Sequence, residues 1–204
     1  PNEYINIMVY PFTDSQILGI STFPYSLKDF FLEGTQQVSA SWITLENLSF
    51  PYCISINSSY IYEQSTDERI NQNDAAITLA HELGHYLGLR HVFSEGGTTS
   101  MCTDTDYCKD TPSYNRSEYE QWLNNLDKQN KYQLKDLAKR YSCEKGEYEA
   151  HNIMDYAYCF YNEITLEQRK RIRHILNYSP LIPGPKESRI DTRGVQGRLN
   201  LPIC

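Results

Sequence analysis

The sequence predicts an α+β domain, and three observations carry that reading. Segments with strand character gather before residue 63. An apolar helical stretch follows at 74–88, and two capped amphipathic stretches come after it. At 204 residues the chain is long enough for one ordinary domain with a core of its own.

Taken in order, "EYINIMVYPF" (3–12), "ASWITLENL" (40–48) and "YCISINSSYIY" (52–62) are rich in β-branched and aromatic residues and partly alternate, which predicts strands. "SLKDFFL" (26–32) reads as a short helix between them. Asn73 or Asp74 is a good N-cap for "AAITLAHELGHYLGL", which is apolar on most faces and predicts a buried helix stopping at Gly88. Residues 92–115 are rich in glycine, serine, threonine and aspartate and read as a long loop. Ser117 and Glu120 form a capping box, with Tyr119, Trp122, Leu123 and Leu126 at helical spacing behind it. A polar break at "DKQNK" precedes a second helical set, Leu134, Leu137, Ala138 and Tyr141. Thr165 and Gln168 cap a last helix, with Leu166, Ile172, Ile175 and Leu176 inward and "RKRIR" mostly outward. The tail after Pro180 reads as loop.

A formal net charge of −7 argues against nucleic acid, whose binding relies on cations that neutralise phosphates. No apolar run approaches the roughly 18 residues that a membrane span needs. The six cysteines include no C-x-x-C pair, which argues against a zinc ribbon or a thioredoxin-like centre. Spread through loops, they read as up to three disulfides from an oxidising compartment: secreted, cell-surface or periplasmic. Six buried thiols are the alternative, and the sequence does not choose among pairings. Opening at Pro1 without a charged and apolar leader, the chain reads as a mature or trimmed form. Asn47, Asn57, Asn115 and Asn177 head N-x-S sites that would carry glycans in a eukaryotic secretory pathway.

The chemistry concentrates in "HELGHYLGLRH" (81–91), which holds three of the five histidines. Residues four apart share a helix face, so His81 and His85 present imidazoles to one point and clamp a metal. A catalytic zinc takes three protein ligands and keeps one position open. His91, six residues beyond His85, would swing off that face if the helix continued. Gly88 lets the helix end and the chain turn back, because glycine accepts a left-handed conformation. Glu82 points about 100° around the helix from His81, beside the metal rather than onto it. A carboxylate there can take a proton from water and return it to a departing amine. His151 and His174 lack ligand spacing and read as structural.

This stretch resembles the long zinc signature of the metzincin metallopeptidases, and "HNIMDYAYC" (151–159) looks like their methionine turn. The order "LAHELGHYLGLRHVF", "CTDTDYCKDTP", "NIMDY", a cysteine and "ITLEQRKRI" is similar to the pappalysin branch over about residues 75–176. The resemblance implies a metzincin-like two-lobe catalytic domain spanning 1–204. Its N-terminal lobe, to about 88, holds a twisted mixed sheet and the active-site helix. Its C-terminal lobe, from about 89, is mostly irregular with a late helix. It also implies a zinc endopeptidase, with His81, His85 and His91 as ligands, Glu82 as general base and Met154 as an apolar floor. Tyr156 matches a tyrosine that lies near the zinc and stabilises the oxyanion; a buried structural tyrosine is the other reading. Substrate would be a protein or peptide laid extended along an edge strand, with "YCISINSSYIY" the candidate edge, and the enzyme a monomer.

Calcium binding after the third histidine is also implied, with Asp104, Asp106, Asp110 and Thr111 as candidate ligands; equally, Asp110 caps a turn. Residues 116–142 stand out as an extra helical insert that either shapes a cleft wall or pads the surface. Relatives preferring basic residues after the scissile bond carry acidic residues where this chain has Ala157 and Tyr158, which leaves that preference open. Two rivals from other classes stand beside the endopeptidase: a binding protein with structural zinc and a zinc hydrolase of a non-peptide bond.

Overall fold

The computed structural model describes residues 4–42, 45–47, 51–64, 73–94, 106–127, 134–142, 144, 146–156 and 158–186. The first part of the chain forms short strands Asn6–Tyr10 (β1), Gly19–Ser21 (β2), Ser26–Leu27 (β3), Gln37–Val38 (β4) and Cys53–Asn57 (β5). They assemble as a sheet ordered β1-β5-β2, with β1 parallel and β2 antiparallel to β5, and a separate parallel β3-β4 pair. All five residues of β5 are buried, and both of its edges are paired. This corrects the expectation that 52–62 offers the free edge: β5 is central, and β2 is the edge beside the functional helix.

Residues 26–32 and 40–48 also depart from expectation. Ser26 and Leu27 extend as a strand whose end is closed by a turn from Phe30 N–H to the Leu27 carbonyl, so no helix forms there. Ala40–Trp42 and Leu45–Asn47 are 3₁₀ turns rather than strand.

The helix Ala75–Tyr86 (α1) starts at Asp74, as expected, and lies on the sheet through contacts with β2 and β5. Ile54, Ile56, Tyr52 and Tyr86 form the core between them, tied by the Tyr52 hydroxyl donating to the Tyr86 carbonyl at 2.6 Å. Gly88 stands just past the helix end at φ +88°, so the chain turns where the glycine allows it.

The rest of the chain supplies Phe93–Ser94 (β6), Tyr114–Asn115 (β7), helices Arg116–Asp127 (α2) and Leu134–Leu137 (α3), Lys139–Ser142 (β8), Gly146–Glu149 (β9) and the helix Leu166–Tyr178 (α4). The four strands form a second sheet in the order β6-β7-β8-β9. Its core gathers Leu89, Phe93, Tyr114, Tyr119 and Met154. The 116–142 segment is therefore not wholly helical: Ala138 and Tyr141 do not extend α3, because Lys139–Ser142 pairs with both β7 and β9. The α2 cap is Asn115, whose Oδ1 accepts from the Glu118 N–H at 3.2 Å, rather than Ser117. Glu120 instead pairs with Arg116 at 2.7 Å, one helical turn back.

The Thr165–Gln168 capping box on α4 forms as read, with both reciprocal bonds present. Its inward face differs from the apolar count. Leu166 and Leu176 are exposed, while Gln168, Arg171 and Ile175 are buried. Arg171 turns inward because its guanidinium donates to the carbonyls of Gly88 (3.2 Å) and Glu33 (2.9 Å).

Of the cysteines, Cys53, Cys108 and Cys159 are buried free thiols; Cys102, Cys143 and Cys204 lie outside the described residues. Three disulfides are therefore not formed. Asn47, Asn57 and Asn115 are buried, which removes them as glycan acceptors. Among the described residues no helix is long and apolar enough to cross a membrane.

Candidate metal centre

Three histidine Nε2 atoms meet at one point. They lie 3.1 Å (His81–His85), 3.0 Å (His85–His91) and 3.2 Å (His81–His91) apart. Tetrahedral zinc with bonds near 2.0–2.1 Å would set neighbouring nitrogens about 3.3 Å apart. The donor set therefore fits such an ion with little adjustment.

The local sequence explains the convergence. His81 and His85 are one turn apart on α1, and the Gly88 turn carries the chain back under them. That turn is fixed by Gly88 N–H donating to the His85 carbonyl and Leu89 N–H donating to the Gly84 carbonyl, both at 2.9 Å. The opposite ring nitrogens are anchored: Nδ1–H of His81 donates to the Ile153 carbonyl and Nδ1–H of His85 to the Leu89 carbonyl, each at 2.8 Å. This tautomer leaves each Nε2 lone pair facing the common point. Burial, with neighbouring His91 adding to it, pushes His81 down to about 3. Burial and both neighbouring imidazoles hold His85 well below its ordinary value. Three lone pairs this close repel one another unless a cation lies among them.

Glu82 is buried beside this cluster, and its Oε2 has no hydrogen-bond partner among the described residues. Burial pushes its carboxyl up to about 8. The residue lines a cleft of about 430 Å³ together with Ile17, Gly19 and, from α2, Arg116, Glu120 and Leu123. Of the two readings open for the 116–142 insert, its helix thus lines the cleft.

Below the cluster, Met154 is fully buried, with its sulfur against Gly84, where a β-carbon would lie only 2.3 Å away. The turn that carries it is held by Asn152, whose Oδ1 accepts from the Met154 N–H at 2.9 Å. Asn152 also exchanges amide hydrogen bonds with Gln168 at 2.8 and 3.1 Å, so the α4 capping residue braces this turn. Tyr156 is half-buried, its ring 4.4 Å from that of His91 and 5.4 Å from that of His81. Gly19, Gly84 and Gln168 had no functional signal in the sequence, because each acts through a contact distant in the chain.

The acidic residues after the third histidine do not form a comparable cluster. Asp106 accepts from Cys108 N–H and the Thr111 hydroxyl, and Asp110 accepts from Glu167 N–H at 2.9 Å. Asp104 lies outside the described residues. Among the described residues, the group of three metal-capable acidic, cysteine or histidine side chains is His81, His85 and His91. His151 and His174 stand elsewhere, bonded to Asn162 and to the Phe30 carbonyl.

The chain is similar to several known proteins. Extracellular metalloproteases of Arthroderma benhamiae and Trichophyton verrucosum are each 37% identical over 108 residues, 52% of this chain and 32% of theirs. The extracellular metalloprotease of Arthroderma otae is 32% identical over 171 residues, covering 82% of this chain and 49% of that protein. The chain thus spans between a third and a half of the length of these curated relatives. Among solved structures, mature mirolysin of Tannerella forsythia in complex with a cleaved peptide aligns with a TM-score of 0.48 at 21% identity, over 86% of this chain and 53% of that one. Residues 42–177 match the sequence profile described as pregnancy-associated plasma protein-A. With two thirds of its length in that match, the chain belongs to the pappalysin family of peptidases.

Proposed function

We propose that this chain carries the catalytic site of a secreted zinc endopeptidase, with His81, His85 and His91 as the zinc ligands and Glu82 as general base. The observation that carries the reading is the meeting of three Nε2 atoms at 3.0–3.2 Å beside the unpartnered Glu82 Oε2. Secretion is drawn from the extracellular metalloproteases to which the chain is similar. The lobes divide near Gly88, with the cleft between them.

Zinc in such a site supplies Lewis-acid polarisation of water and of the substrate carbonyl. The chain's residues do the rest. Glu82 takes the proton of the attacking water at its free oxygen and delivers it to the departing amine. Tyr156 donates from its phenol to the carbonyl oxygen as negative charge develops there. An extended peptide lies along the outer edge of β2, whose backbone groups recognise it without regard to sequence. Asp106, Asp110 and Thr111 are read as turn and helix caps rather than calcium ligands.

The test is turnover of a quenched peptide library with and without a chelator, using wild type and Glu82→Gln. Chelator-sensitive cleavage is expected in the wild type. Glu82→Gln should lose it while retaining zinc by metal analysis. Zinc retention with no cleavage by the wild type would favour a binding protein and sink the enzymatic reading.

A further inference from the structure

A guanidinium taken fully out of water is expensive unless its donors and charge are engaged. Arg140 on β8 is such a group, with no exposed surface, and it sits behind the methionine turn. Its Nη1 donates to the carbonyls of Leu137 (2.8 Å) and Lys139 (3.1 Å), and its Nη2 to the carbonyl of Tyr156 at 3.1 Å. The Nε lies 3.5 Å from the Asp155 carboxylate, and the Tyr119 ring receives the guanidinium face at 3.7 Å. Asp155 is itself buried and accepts from the Tyr114 hydroxyl at 2.5 Å and from the Tyr156 N–H at 2.7 Å.

The consequence falls on Tyr156. One buried ion pair grips both polar groups of its main chain: the N–H through Asp155 and the carbonyl through Arg140. Its ring is bounded by His91 at 4.4 Å and by the Arg116 guanidinium over it at 4.8 Å. Arg140 and Arg116 come from the segment after β7, which therefore holds this tyrosine from behind and from the cleft side.

We infer that Arg140 and Tyr114 are positioning residues that, through Asp155, fix the Tyr156 phenol beside the histidine cluster. The inference rests on the reading of Tyr156 as the oxyanion donor. If Arg140 only filled the core, an apolar side chain of similar volume would serve as well. Instead its Nη2 donor and its charge run to the Tyr156 carbonyl and the Asp155 carboxylate, in a turn that has no regular secondary structure to hold it. A donor aimed at developing charge acts only from a fixed place, and displacement of about 1 Å costs on the order of a hundredfold in rate.

A double-mutant cycle on the zinc-loaded protein tests this. Tyr156→Phe, Arg140→Met and Tyr114→Phe are made singly, and the last two again in the Tyr156→Phe background. Arg140→Met and Tyr114→Phe should each lower kcat about tenfold with KM within about twofold, since the lost effect is on the transition state. In the Tyr156→Phe background the same changes should move kcat less than about twofold. Equal losses in both backgrounds, or no loss in the first, would overturn the inference while leaving Tyr156 catalytic. An unchanged kcat in Tyr156→Phe alone would instead remove the reading on which it rests. Tyr114→Phe removes one hydroxyl and little volume, so it decides the matter if Arg140→Met fails to fold.

Discussion

Gly19 lies so close to Glu82 that a β-carbon on it would sit 2.6 Å from the glutamate Cγ and 2.9 Å from its Oε1. The same position would be 2.9 Å from Cγ2 of Thr78. Strand β2 thus crosses α1 at a place where its own backbone forms the wall against the carboxylate. The contact packs against the arm of the glutamate, whose other oxygen is buried without a hydrogen-bond partner among the described residues.

Gly19→Ala should therefore act on Glu82 before it acts on the fold. The added methyl forces the carboxylate or the strand aside, and loss of a placed general base reduces rate by about 10²–10⁴-fold. The expected result is a kcat at least about tenfold lower, with zinc content close to wild type and Tm lower by no more than the few degrees that overpacking costs. Turnover at the wild-type level would mean that the carboxylate is not held by this contact.

How much of this could be read beforehand depends on the range over which each signal acts. The convergence of the three histidines was legible because His81, His85, Gly88 and His91 lie within eleven residues and obey one helical period and one turn. The Thr165–Gln168 cap was legible for the same reason. The edge strand was not, because 52–62 reads as strand whether central or peripheral; only its pairing with both β1 and β2 decides. Arg140 and Arg171 defeated periodicity, which counts charges as outward and cannot foresee carbonyls waiting to receive them. Cys108 and Cys159 were read as loop cysteines, yet they are buried where a thiol donates to a nearby carbonyl.

Gly84→Ala sets two effects against each other. Alanine favours a helix interior by about 1 kcal/mol over glycine. Here, however, the methyl would meet the Met154 sulfur at 2.3 Å, and that side chain has no exposed surface into which to retreat. Overpacking of this kind costs about 1–3 kcal/mol, so net destabilisation is expected and Tm should fall by a few degrees. A Tm above wild type would show that the methionine relaxes freely.

Two bonds tie the Lys109–Asp110 turn to the start of α4: Asp110 accepts from the Glu167 N–H at 2.9 Å, and Glu167 accepts from the Lys109 N–H at 2.6 Å. Burial raises the Asp110 carboxyl somewhat, but hydrogen bonds from the Glu167 N–H and the Thr165 side chain outweigh it and hold the group below its ordinary range. A depressed carboxylate stabilises the fold above its unfolded value, and that contribution is lost as pH falls through the folded value. Asp110→Ala should cost about 0.5–1 kcal/mol at neutral pH, at the low end for a cap because the site is exposed. The gap between variant and wild type should narrow as pH falls below the ordinary carboxylate value of 3.8 in acid titrations of Tm. A gap that persists there would assign the effect to something other than the charge.

Gly88→Ala tests the link between the turn and the third histidine. The residue sits at φ +88°, where a side chain is strained, and a β-carbon would press to 2.8 Å from Cγ1 of Ile175. The left-handed conformation alone costs a non-glycine residue about 1–2 kcal/mol. Relief requires the turn to open, which shifts His91 relative to the two histidines that α1 keeps in place. It also disturbs the Gly88 carbonyl that Arg171 holds from α4, so the strain spreads to that helix rather than staying local. Stability and zinc affinity should therefore fall together, the latter by about 10–100-fold, as when the shell supporting a metal ligand is altered. Zinc titration alongside thermal melts reads both, and a lowered Tm with wild-type affinity would separate the bend at Gly88 from the placement of His91.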